Sequence, residues 1–328
     1  MNFLKRVPLP LCGVALGIAA LGNILAAYSP YFKILCGILA FVGIMLVKCK
    51  YLTAPDAFKT DMKNPVLASV FGTYSMTMML LAGYIKPVLP FIAIIIWYAA
   101  IVIHLALMVY FTLNFILKIK IPDDLMKVFA SYFIVYVGIV VVSVTAPAFQ
   151  NIALGQICFW LGFILYIPLF VYVSYRYIKL GNKNIEAKAL ACIYAAPASL
   201  CVAGYINSFE QKNINFLTLL YIFSLVIYLV GIIAAIDFFA SFAKNKEFKF
   251  YPSLAGLTFP FVISAIAAKQ FNAVLTKMDV EMGLRPVLPA IVNIEIIIAI
   301  AGVVFAALCF AKHVFAPVVS KEGGRALA

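Results

Sequence analysis

Ten stretches of about twenty apolar residues follow one another along this chain, at roughly 8–28, 31–52, 65–85, 89–117, 128–149, 152–178, 189–209, 215–236, 252–271 and 286–311. Twenty residues of α-helix rise about 30 Å, the thickness of a bilayer's hydrocarbon core. Hydrocarbon offers no water to backbone amides, so a spanning segment must satisfy them within itself, as a helix does. No alternation of the kind a barrel strand needs is present. The sequence therefore predicts an all-α integral membrane protein, a single transmembrane domain over residues 1–328 with no soluble domain or long linker. Composition agrees, since 66% of residues are hydrophobic and only 11% charged, where a soluble surface needs about a quarter charged.

The connections alternate. "SPYF" (29–32), "KPVL" (86–89) and "QN" (150–151) are short, whereas 48–64, 118–127, 179–188 and 243–250 are longer and basic. Short connections make antiparallel neighbours, which gives five consecutive helical hairpins. Of the 25 Lys and Arg, six (Lys33, Lys86, Lys212, Lys269, Lys277 and Arg285) fall on one side, leaving nineteen on the side that holds both termini. The positive-inside bias makes that side, and both termini, cytoplasmic in a multi-pass protein of the cell membrane. The net charge of +13 is thus a topology signal plus an attraction for membrane lipid, and nucleic acid is not an expected partner. The first apolar run, 8–28, is longer than the 7 to 15 residues of a signal-peptide core, so it reads as a retained helix.

Motifs of chemistry are absent. The chain has no P-loop, HExxH, GxSxG or CxxC, so the expectation is a non-enzyme with neither cofactor nor metal. Its two histidines are His104 and His313, and a lone His104 in an apolar run reads as a hydrogen-bonded packing residue. Glu295, in "VNIEIIIAIAG", is the one acid within the body of a run. An ionisable group at that depth is a functional candidate, here a possible proton site, with a carboxyl that locks helix to helix as the equal alternative.

Prolines interrupt several runs: Pro197 in "YAAPASLCVAGY", Pro260 in "GLTFPFVISAIAAKQF", Pro147 near a run's end, and Pro168 in the sixth run. Within a helix, Pro197 would free the carbonyl of Ile193 and Pro260 that of Gly256. Three of the four lie in odd-numbered runs, which suggests that the odd helices border a central path.

The segments "PLPLCGVALGIAALGN" (8–23), "NPVLASVFGTYSMTMMLLAGY" (64–84), "VGIVVVSVTAP" (137–147), "AAPASLCVAGY" (195–205) and "TFPF" (258–261) occur in that order on the odd runs. In this the chain resembles the tellurite-resistance and dicarboxylate-transporter family, which includes the slow-type anion channels of plant guard cells. The resemblance implies five hairpins in a quasi-fivefold ring around a pore, odd helices inside and even helices outside, and homotrimers with one pore per protomer. It implies a phenylalanine gate in the ninth helix, here Phe259 beside Pro260, carried on a kinked helix that bulges toward the axis. Pore-lining candidates are Gly17, Gly72, Ser75, Gly138, Pro197 and Thr258, with Lys269 at a pore mouth. Anion preference would follow from a path without carboxylates and with positive mouths. The expected function is an anion-selective channel or uniporter for small inorganic or organic anions. The alternative is a proton-coupled transporter of small dicarboxylates or sulfite using Glu295, and a membrane enzyme or scaffold is more distant.

Overall fold

The computed structural model describes residues 3–119, 123–182, 184–244 and 249–315. The termini beyond them, whose side of the membrane was read from charge, lie outside the described residues. Among the described residues, nine helical segments are long and apolar enough to cross a membrane. They are α2 (Pro30–Thr53), α3 (Pro65–Ile85), α4 (Pro90–Lys118), α5 (Tyr132–Phe149), α6 (Ile152–Leu180), α7 (Ile185–Ser208), α8 (Ile214–Ala243), α9 (Pro252–Lys277) and α10 (Leu288–Phe315). The first run gives a shorter apolar helix, α1 (Leu11–Leu25), because Pro8 and Pro10 hold its beginning in a turn. At 1.5 Å per residue α1 is only about 22 Å long.

Helix starts follow local chemistry. Asn64 Oδ1 accepts from the amides of Val66 and Leu67 at 2.9 and 3.2 Å. Asn151 and Asn213 cap α6 and α8 in the same way. Pro30, Pro65 and Pro90 occupy first turns, where a missing amide proton costs nothing.

The even and odd segments differ in two respects. In α2, α4, α6, α8 and α10, only 33% to 39% of the most apolar stretch is buried, against 67% to 89% in α3, α5, α7 and α9. The even helices carry the exposed Ile, Leu, Val and Phe side chains that suit lipid contact, and their membrane stretches run as continuous α-helix. The odd segments are broken: α3 at Phe71, α5 by a 3-10 turn at Gly138–Val140, α7 by another at Cys192–Tyr194, and α9 at Thr258. Irregular backbone survives at membrane depth only where protein surrounds it, so the broken segments are the buried ones.

Each odd segment packs on the even helix that follows it. Odd segments also touch one another in succession, α1 on α3, α3 on α5, α5 on α7, α7 on α9, and α9 on α1 again. Side-chain hydroxyls tie these contacts to backbone carbonyls. Ser264 Oγ on α9 lies 3.1 Å from the carbonyl oxygen of Ala195 on α7, and Ser208 Oγ on α7 donates to Ser143 on α5 at 2.8 Å.

The breaks correct the expectation of a proline-kinked ninth helix. Residues Pro252–Leu257 form a 3-10 turn, Thr258 leaves helical geometry, and a new helix begins at Phe259. Pro260 therefore stands in a first turn, where it disturbs no hydrogen bond. Pro197 likewise stands near the start of the helix Ala195–Ser208.

Candidate functional site

A cavity of about 390 Å³ lies among the odd segments, and every residue that lines it belongs to α1, α3, α5, α7 or α9 or to the residues leading into them. No even helix contributes. Asn64, Asn184, Glu186 and Ser253 line the cavity where the odd segments begin, Thr73 adds a hydroxyl deeper on α3, its Oγ1 donating to the Val70 carbonyl at 2.7 Å, and the walls are otherwise apolar. On each segment the lining stops at one level: Leu16, Met76, Gly138, Leu200 and, on α9, Phe259 with Pro260. The cavity is thus a vestibule that opens on the side of the basic connections and ends at an apolar floor.

Phe259 belongs to that floor because the chain changes direction just before it. The Oγ1 of Thr258 lies 3.0 Å from the carbonyl of Gly13 on α1 and 2.7 Å from that of Ala255. Gly17 lets the break come close. A Cβ there would stand 2.6 Å from Thr258 Cβ and 2.9 Å from the Phe259 amide nitrogen. On the opposite flank, a Cβ at Gly302 of α10 would meet the Leu257 carbonyl oxygen at 2.4 Å. The helix that begins at Phe259 runs away from the cavity, so its amino end, where Pro260 carries no amide proton and the Val262 amide bonds the Thr258 carbonyl at 3.3 Å, lies at the vestibule. That end carries partial positive charge, which favours an anion.

Phe259, Pro260, Gly138 and Pro197 line the vestibule, whereas Gly17, Gly72, Ser75, Thr258 and Lys269 do not. Ser75 Oγ is turned to α4, 2.7 Å from His104 Nδ1, while His104 Nε2 lies 3.1 Å from the Val135 carbonyl. Gly72 and Gly138 make room for that imidazole. Both of its nitrogens are engaged in a fully buried setting, which is the packing role the sequence suggested. Thr258 and Gly17 support the floor from behind. Lys269 is half-buried ten residues beyond Phe259, on the far side of the floor from the vestibule.

Glu295 lies outside the cavity lining. It is 3% exposed, and its Oε2 has no hydrogen-bond partner. The hydroxyls of Tyr221 and Tyr228 on α8 are also buried and unpartnered, and both lie within electrostatic reach of the Glu295 carboxyl.

Two features went unread in the sequence. Glu186, exposed at the vestibule mouth, corrects the expectation of a path without carboxylates. It falls in a connection that was read for its basic residues. Met76 and Leu200, which close the floor beside Phe259, are apolar residues in apolar runs, and nothing in their spacing separates them from packing residues.

A helical membrane protein whose broken inner segments surround an apolar-floored vestibule is built to pass small solutes. The family described as voltage-dependent anion channel (SLAC1) matches residues 6–314. The chain belongs to this family, and anion transport across a membrane is its function class. No curated protein matches the chain.

Proposed function

We propose that the chain is a passive, anion-selective channel or uniporter, with its path along the axis shared by α1, α3, α5, α7 and α9 and closed by Phe259. The observation that carries this reading is the vestibule lined by those five segments alone and ended by Phe259. Their succession of contacts supports a quasi-fivefold ring of five hairpins, ten transmembrane helices in all, with the even helices against lipid. Anion preference comes from the amino end of the α9 helix at the floor and from a floor that carries no carboxylate among the described residues. Family membership supports homotrimers with one path per protomer, and charge asymmetry supports cytoplasmic termini.

The alternative, proton-coupled transport of small dicarboxylates or sulfite, rests on Glu295. Its place outside the cavity lining favours the passive reading, because a coupling carboxyl would have to meet the substrate or its path. Purified protein in vesicles decides between them. Under a potassium diffusion potential at equal pH on both sides, a channel passes chloride, nitrate or a dicarboxylate in proportion to voltage. Flux that requires a pH gradient would select the coupled carrier.

A further inference from the structure

The vestibule poses an electrostatic problem, since its one ionised lining side chain among the described residues is an acid, Glu186. A carboxylate at the mouth repels the anions that the path is proposed to admit. A cation held behind the wall would offset that repulsion.

Arg176, near the end of α6, is that cation. Its side chain is 6% exposed, yet no carboxylate whose side chain is described pairs with it. The guanidinium carbon lies 4.6 Å from the ring centroids of both Phe129 and Tyr177. Phe129 lines the vestibule, so a single aromatic ring separates the charge from the cavity. One donor is accounted for, as Nη1 donates to the Gly181 carbonyl at 2.9 Å. Gly181 ends α6 with φ +63°, a conformation that favours glycine, and this bond fastens the helix end. The buried Nε has no partner.

A helix-end clasp needs one neutral donor. It does not need a full charge taken out of water with no counterion, an arrangement that is strongly unfavourable when the charge is left uncompensated. Arginine stays ionised at any physiological pH, and two aromatic faces hold its charge by cation–π attraction without neutralising it. A lysine pair shows the contrast. Lys188, on α7, bonds Asp237 at 2.7 Å and Ser241 at 2.9 Å, so its charge is spent locally.

We propose that Arg176 determines the charge selectivity of the vestibule, acting through Phe129 as a positioning residue for a small monovalent anion such as chloride. This rests on the proposed anion path. The ring keeps the guanidinium from binding the anion directly, which would trap it, while leaving its field across a thin apolar wall. Attraction without contact suits conduction, where binding must be weak enough for release.

The test is the reversal potential of full-length protein in planar bilayers under a KCl gradient, in wild type and on a Phe259→Ala background. Arg176→Gln should lower the chloride-to-potassium permeability ratio at least about threefold, the effect of a unit charge some 10 Å away in a partly screened setting. The loss should be greater at low salt. Arg176→Lys should keep most of the ratio, and Glu186→Gln should raise it. A purely structural clasp would change thermal stability and leave the ratio alone. Should Arg176→Gln fail to fold, Phe129→Ala keeps the cation and opens it to the cavity, and it should raise the ratio. A ratio unmoved by either variant in an anion-selective parent overturns the role of Arg176. A parent whose current reverses at the potassium potential overturns the anion path and this role together.

Discussion

Thr258 and Gly13 are joined where α9 is broken, the threonine Oγ1 standing 3.0 Å from the glycine carbonyl oxygen. The same hydroxyl lies 2.7 Å from Ala255 O, so one side chain holds the 3-10 turn, the break and α1 in register. The floor of the vestibule is therefore supported by backbone contacts from behind rather than by packing within the path.

This support can be removed or overfilled. Thr258→Val leaves buried carbonyls short of a donor and should cost about 1–3 kcal/mol. Thr258→Ser should restore most of the loss. Gly17→Ala forces a methyl to within 2.9 Å of the Phe259 amide nitrogen and 2.6 Å of Thr258 Cβ, and should destabilise by about 1–3 kcal/mol through overpacking. Thermal unfolding in detergent measures each. A Gly17→Ala protein as stable as wild type would mean that α1 and the break do not meet.

Ser75 offers a test of which hydroxyls face the path. Its Oγ lies against His104 and outside the cavity lining, so Ser75→Ala should lower stability by about 1–3 kcal/mol by stripping a buried imidazole nitrogen of its partner. Conductance and ion preference should stay at the wild-type level. A changed permeability ratio without loss of stability would place Ser75 in the path after all.

Run length and loop charge made the spanning segments and their pairing legible, while the alternation of buried and exposed helices was signalled by the prolines of odd runs and by the family resemblance carried by the small-residue segments. Breaks were not legible. "TFPF" shows that a defect lies near Pro260, but a kinked helix and two helices abutting at Thr258 place the proline and aromatic identically in sequence. The difference depends on whether Gly17 and Gly302, distant in the chain, come close enough to fix the break. Ser75 was misplaced for the same reason, since which face of a buried segment a small polar residue occupies is set by its partner, His104, and not by its run. Arg176 was hidden among the basic residues at a helix end, and its place behind Phe129, unpaired with any described carboxylate, can be seen only in space.

Glu295 separates a packing carboxyl from a coupling one. With Oε2 unpartnered beside the unpartnered hydroxyls of Tyr221 and Tyr228, Glu295→Met should be neutral or stabilising by about 1–3 kcal/mol, because it removes an unsatisfied buried polar atom. Chloride flux under voltage should persist in both Glu295→Met and Glu295→Gln. Loss of pH-driven accumulation in Glu295→Gln, in a protein that folds normally, would instead support the coupled carrier.

Topology is open to a direct check. The nineteen Lys and Arg on one side against six on the other predict that both termini are cytoplasmic. Tags at Met1 and Ala328 should then be reached by protease or impermeant label only after the membrane is opened. A single tag accessible in intact cells would remove one crossing and break the series of five hairpins.

The gate itself is tested by two phenylalanines one residue apart on either side of Pro260. Phe259 lines the vestibule floor, while Phe261 is 2% exposed, lies edge-on to Tyr228 at 5.9 Å and is absent from the lining. A ring at an apolar waist raises the barrier by filling space and by stripping water from the ion, and each 1.4 kcal/mol of barrier is about tenfold in rate. Phe259→Ala should raise anion current at least about tenfold in bilayers at matched protein amounts. Phe259→Leu keeps most of the volume and should stay largely closed. Phe261→Ala removes a packing residue from the outer side of α9, so it should cost about 3–5 kcal/mol of stability without opening the path. Equal currents for wild type and Phe259→Ala would reject the gate, and a larger rise for Phe261→Ala would turn the ninth helix by roughly half a turn from the orientation described.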